Sequence, residues 1–119
     1  MAAISLVKPT AKGAVVTRVA STPAGDTVPS TGGDILLHFE NGHASSITVT
    51  IAPTKLTGNL PGAGPVDVPT RTLVLAAGDE GAIRFRGGDA GSYTNAQRQI
   101  PITYTGGNAL LTVMALDLS

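Results

Sequence analysis

His38 and His43 lie close to Asp34 and Glu40 in the stretch DILLHFENGHASSITVTIA, residues 34–52. Imidazoles beside carboxylates are the side chains of a divalent-metal site or of general acid–base catalysis. In an extended strand His38 and Glu40 project from the same face, so a ligand pair is geometrically open to them. A metal needs further ligands, and none stands at a recognisable spacing. No serine or acid is placed by motif to complete a nucleophile–base–acid triad. The reading with fewest assumptions is a polar outer face beside a solvated loop.

Other candidates for chemistry fare similarly. TGNLPGAGP (57–65) resembles a phosphate loop in its glycines, but it lacks the Gly-Lys-Ser/Thr ending, and Pro61 and Pro65 spoil the helix that should follow. RGGDAG (86–91) lacks the alternating acids and distant Glu of a calcium loop. Asp79-Glu80 falls at an expected turn and reads as a solvated tip. Arg84 and Arg86, with Arg71 as a candidate third member, could form a cationic stripe over two adjacent strands. Such a stripe either grips an acidic protein surface or is solvated and balanced by Glu40, Asp79 and Glu80. The expectation is therefore a protein that is not an enzyme and carries no cofactor and no metal.

The totals narrow the partners. Lys and Arg number 8 against 8 for Asp and Glu, so no overall field draws the chain to nucleic acid or an anionic membrane. Charged residues make up 13% of the chain, about half the usual ~25% share. Hydrophobic residues at 42% argue for a packed fold rather than disorder. The absence of cysteine excludes a disulfide framework and thiolate chemistry. With aromatic residues at 3% and no Trp, flat ligands such as sugars and bases have few stacking platforms. The opening MAAISLVKPTAKG has too short an apolar run for a signal peptide, and no stretch approaches the ~18 apolar residues of a membrane span. Synthesis in the cytosol is the expectation.

The elements that would position these residues are strands. Fifteen glycines and eight prolines in 119 residues cut the chain into short pieces, the punctuation of a single all-β domain. Residues 1–12 read as an extended N-terminal arm and 13–119 as the sandwich domain. GAVVTRVAS (13–21) alternates, and TPAGDTVPSTGG (22–33) reads as loop. In the quoted stretch a two-residue Asn41-Gly42 turn would set Ile35, Leu37 and Phe39 against polar partners. Loops of three or five residues restore apolar pairing, and a further possibility is that the two strands belong to different sheets. Residues 52–70 read as a long connection with short extended pieces such as Val66–Val68. In RTLVLAAGDEGAIRFRG (71–87), Leu73 and Leu75 share one face, and Ile83 and Phe85 share another, with Arg84 and Arg86 opposite. Pro101 in QIPITYTG (99–106) favours an edge or bulge position.

The last segment, NALLTVMALDLS (108–119), has roughly helical spacing at Leu110, Leu111, Met114 and Leu118, but Thr112 and Val113 favour a strand. As a strand it is apolar on both faces: Leu110, Met114, Leu116 and Leu118 on one, Leu111, Val113 and Ala115 on the other. An antiparallel strand in a two-layer sandwich should have one wet face, so the outer face is expected to be covered by the N-terminal arm or another subunit. The sum is about seven antiparallel strands in one β-sandwich, jelly-roll or Ig-like.

The order of these pieces, from DILLHFENGHASSITVTIA through RTLVLAAGDEGAIRF to IPITYTGGNALLTVMALDL, resembles the small β-sandwich capsid decoration (cement or minor capsid) proteins of tailed bacteriophages. The similarity is one of pattern over residues 13–118. It implies a structural virion protein that binds the outside of the capsid as a homotrimer or homodimer and bridges major capsid protein subunits. Other readings are a head–tail connector or tail protein, or a carbohydrate- or receptor-binding module. On the structural reading, contacts to the shell or between subunits are expected at Ile4, Leu6, Val7, Arg84, Arg86, Leu111 and Val113.

Overall fold

The structure, a computed structural model, describes residues 2–8, 13, 15, 18–30, 34–54, 57–60, 64–86 and 90–118. Its strands are β1 (Ala2–Ala3), β2 (Leu6–Val7), β3 (Val19–Ala20), β4 (Asp26–Pro29), β5 (Ile35–Asn41), β6 (Ile47–Ile51), β7 (Thr57–Leu60), β8 (Gly64–Asp67), β9 (Arg71–Leu75), β10 (Glu80–Phe85), β11 (Gln99–Thr105) and β12 (Leu111–Asp117). One sheet has the order β1-β4-β11-β6-β9 and the other β10-β5-β12-β2, with β3 also paired to β12. The two sheets pack into a β-sandwich, as the alternation predicts.

Period-2 patterning explains which side chains meet. Ile35, Leu37 and Phe39 of β5 and Leu111, Val113 and Ala115 of β12 point inward from one sheet. Ile47, Val49 and Ile51 of β6, with Ile100 and Ile102 of β11, point inward from the other, and the two sets form one core. Leu73, Leu75, Ile83 and Phe85 join them from β9 and β10. Gly81 completes the inward phase of β10. A Cβ there would lie 2.9 Å from Leu75 Cδ2 and 3.0 Å from Leu73 Cδ2, so a side chain has no room where β10 meets β9.

The stretch around Asn41-Gly42 resolves in favour of different sheets. β5 pairs with β10 and β12, while β6 pairs with β11 and β9, so residues 42–46 cross between the layers. Both strands can then turn their apolar faces to one core without pairing with each other. Asn41 anchors the crossing. It is fully buried; its Nδ2 donates to Ser45 O (3.0 Å) and Leu75 O (2.9 Å) and lies 3.2 Å from Ala76 O, and its Oδ1 accepts from the His43 N–H (2.9 Å). Its main chain is bonded both ways to the β9–β10 turn, through Asp79 O and the Gly78 N–H.

Pro101 sits in a strand that is central by sheet order. β11 pairs with β4 over Gln99–Ile102 and with β6 over Thr103–Thr105, so the ladder to β6 begins beyond the proline. Thr27, opposite Pro101, directs its carbonyl away from β11 to the Ile4 N–H (2.7 Å). The missing proline N–H therefore breaks no ladder bond, and the expectation of an edge holds locally while failing for the strand as a whole.

The N-terminal segment is built into both layers. β1 runs parallel to β4 in one sheet, β2 runs parallel to β12 in the other, and Ile4 between them is buried in the core. On the opposite side of the sandwich the β9–β10 turn makes the same crossing, so each lateral edge is laced by consecutive strands. The expected loop 22–33 contains a strand, β4, and the short extended pieces expected within 52–70 take the form of a separate hairpin of β7 and β8. Of the alternation in 13–21, Ala14, Val16 and Thr17 lie outside the described residues.

Candidate contact surface

β12 is the strand on which the functional expectation rests, and the structure assigns its faces. Leu111 and Val113 are fully buried in the core, so their assignment to an outward contact face is corrected. The reason is the phase set by β5: Leu111, Val113 and Ala115 lie opposite Asn41, Phe39 and Leu37, the inward residues of that strand. Ile4 is likewise an interior side chain, and Leu6 packs against the core. The outward face of β12 is Thr112, Met114 and Leu116, each half-buried.

Cross-strand register extends this face into rows. Arg84, Leu36, Leu116 and Val7 stand side by side across β10, β5, β12 and β2. Ala82, His38 and Met114 form the next row, and Glu80, Glu40, Thr112 and Ala20 the third. An apolar band of Leu36, Leu116, Val7 and Met114 thus runs over the middle of the sheet. Leu118, exposed at 41%, follows Asp117 at the end of β12 and is tied to Asp34 O through its N–H. Beside Val7, a partly open recess of about 230 Å³ is lined by Ile4, Ser5, Val7, Val15 and Val19. That falls below the roughly 300–1,000 Å³ of small-molecule sites.

Charges flank the band and are paired within the chain. Arg84 Nη2 lies 2.7 Å from Asp34 Oδ2. Arg18 reaches over the sheet to His38 Nδ1 (2.6 Å), Glu40 Oε2 (3.4 Å from Nε) and Glu80 Oε1 (3.9 Å). Glu40 and Glu80 are direct cross-strand neighbours, so Arg18 lies beside two carboxylates that would otherwise repel. Arg86 is exposed beyond β10. Arg71 leaves the expected stripe: its guanidinium stacks over Phe85 (4.5 Å) and Tyr93 (5.0 Å) and donates to Arg84 O (2.6 Å). It caps a carbonyl on the outer edge of β10, which hinders another strand from pairing there.

His38 and His43 do not converge. His38 faces Arg18, and His43 lies in the 42–46 crossing with its N–H on Asn41. Among the described residues no three His, Cys, Asp or Glu side chains gather at metal-holding distance. No helix among them is long and apolar enough to cross a membrane.

A buried polar pair lies elsewhere, where the sequence suggested only a loop. Asp26 is almost wholly buried, and its carboxylate accepts from the Tyr104 hydroxyl (2.7 Å) and the Thr22 N–H (3.1 Å). Burial first, then the hydrogen bond to Asp26 and the negative charge of that group, push the Tyr104 hydroxyl far above its ordinary range. This pair ties residues 22–26 to β11. Of the residues missed, Asn41 carries a legible signal, a polar side chain in phase with Ile35, Leu37 and Phe39. Arg18 carries none, since its partners lie 20 or more residues away.

No protein-family model, curated protein or solved structure matches the chain.

Proposed function

We propose that this chain is a non-enzymatic structural protein that works by packing the outward face of the β10-β5-β12-β2 sheet against neighbouring subunits. The observation that carries the reading is the row Leu36–Leu116–Val7 with Met114 beside it, an apolar band flanked by the Arg84–Asp34 pair and by Arg18 with Glu40 and Glu80. Low net charge lets many copies approach one another without repulsion. An apolar contact of about 300 Å² at ~25 cal/mol per Å² contributes about 7 kcal/mol before association costs, and repeated contacts on a symmetric surface add avidity.

The setting that fits, on the sequence pattern alone, is the outer surface of a tailed-phage capsid. There a homotrimer or homodimer would bridge major capsid subunits through Val7, Leu36, Met114 and Leu116, with Arg84 and Arg86 at the rim. Mixing the purified chain with undecorated shells tests this. Co-sedimentation with density spread over the shell supports it. Failure to co-sediment, or density confined to one vertex, counts against decoration, the latter in favour of a connector or tail role.

A further inference from the structure

The contact between Arg18 and His38 has a protonation requirement. Arginine has donors and no acceptor, so the 2.6 Å approach of Nη2 to Nδ1 is a hydrogen bond when Nδ1 carries a lone pair. His38 must then be neutral, with its proton on Nε2. Arg18 directly precedes β3, whose pairing with β12 spans Ala20 opposite Thr112 and Val19 opposite Val113. Continuing that register sets Arg18 beside Met114, and Met114 lies opposite His38, so the arginine crosses the outward face of β12 to reach its partners.

Among the described residues, the charged groups on the strands around His38 are few. Glu40 lies two residues along its own strand. Across on β10 are Glu80, and Arg84, which is held by Asp34. From β3 comes Arg18, and from β12 the neutral Met114. Protonated His38 would bring a second cation to the Glu40–Glu80 pair and turn its Nδ1–H toward the guanidinium. It competes with Arg18 for the same carboxylates and cannot accept from it. Arg18 Nη1 is buried with no hydrogen-bond partner among the described residues, so the guanidinium is not fully satisfied by them.

We propose that Arg18 and His38 form an acid-released latch: neutral His38 holds β3 against β12, and protonation expels Arg18, loosening β3 and baring Met114. The latch joins residues of one chain and stands whether or not the sheet face docks on a neighbour.

Amide hydrogen exchange at Val19 and Ser21, whose N–H groups face β12 in this register, corrected for the intrinsic pH dependence of exchange, tests the proposal. Between pH 7.5 and 5.5 the wild type should lose about tenfold in protection at these positions, the scale of a hydrogen bond to a charged group, while Leu37 and Val49 stay protected. His38→Gln, whose amide oxygen accepts from Arg18 at either pH, should keep high protection at both. Arg18→Met should show low protection at both, and His43→Gln should behave as wild type. A flat wild-type profile, the same acid loss in His38→Gln, or equal loosening at Leu37 and Val49 would overturn the latch.

Discussion

Replacing Asn41 with alanine probes what joins the two layers at one end of the sandwich. The side chain is fully buried, donates to main-chain carbonyls in both crossing connections and accepts the His43 N–H. Removing it forfeits about three interior hydrogen bonds at about 1 kcal/mol each and leaves Leu75 O, in a buried bond, without this donor. The expected loss is about 3 kcal/mol, a large part of the ~5–15 kcal/mol that holds a domain together. At about 4 °C per kcal/mol for a chain of this size, the melting temperature should fall by about 10–15 °C. Urea unfolding should show a lower midpoint with an unchanged slope. Asn41→Asp separates hydrogen bonding from packing, because it keeps the shape while turning a carboxylate toward carbonyl oxygens. It should be at least as damaging as alanine at pH 7. If Asn41→Ala stays within about 0.5 kcal/mol of wild type, or Asn41→Asp is tolerated, Asn41 does not hold the crossings.

Three further outcomes follow from single residues. Val113→Asp places a carboxylate in the core and should prevent folding, seen as loss of the cooperative thermal transition; a folded variant with impaired assembly alone would contradict the inward assignment. Arg98 has φ of 60°, so Arg98→Gly should raise stability by about 0.5–1 kcal/mol in urea titration, offset in part by the entropy of glycine. The Tyr104 hydroxyl is held protonated in the folded state, so its contribution is present below the unfolded value near 10 and is lost as pH rises above it. Stability measured from pH 9 to 12 should fall less steeply in Tyr104→Phe, which at neutral pH should already be weaker through loss of the bond to Asp26.

What could be read from residues alone was set by period 2. Ile35, Leu37 and Phe39, and Ile47, Val49 and Ile51, declared their strands and common inward phase, and Thr112 with Val113 marked the last segment as a strand. The choice between the two faces of β12 was not legible, because Leu111/Val113 and Met114/Leu116 are equally apolar; the pairing with β5 settles it. Turn chemistry at Asn41-Gly42 suggested a hairpin, yet long-range pairing put its two strands in opposite sheets. Short strands such as β1, β2 and β4 carry too few residues to show a period, and they form because β4, β12 and β11 respectively offer edges to pair with. Arg18 and Asp26 find their roles through contacts across the sandwich, which spacing along the chain does not encode.

The central claim is that the outward face of β12 is a docking surface. Leu116→Glu puts a charge in the middle of the Leu36–Leu116–Val7 row, where the side chain contributes little to the core. Analytical ultracentrifugation of wild type and Leu116→Glu, each alone and with undecorated shells, tests the claim most directly. The account predicts an unchanged melting temperature for the variant together with loss of self-association and of shell binding. A folded variant that sediments like wild type in both conditions would contradict it.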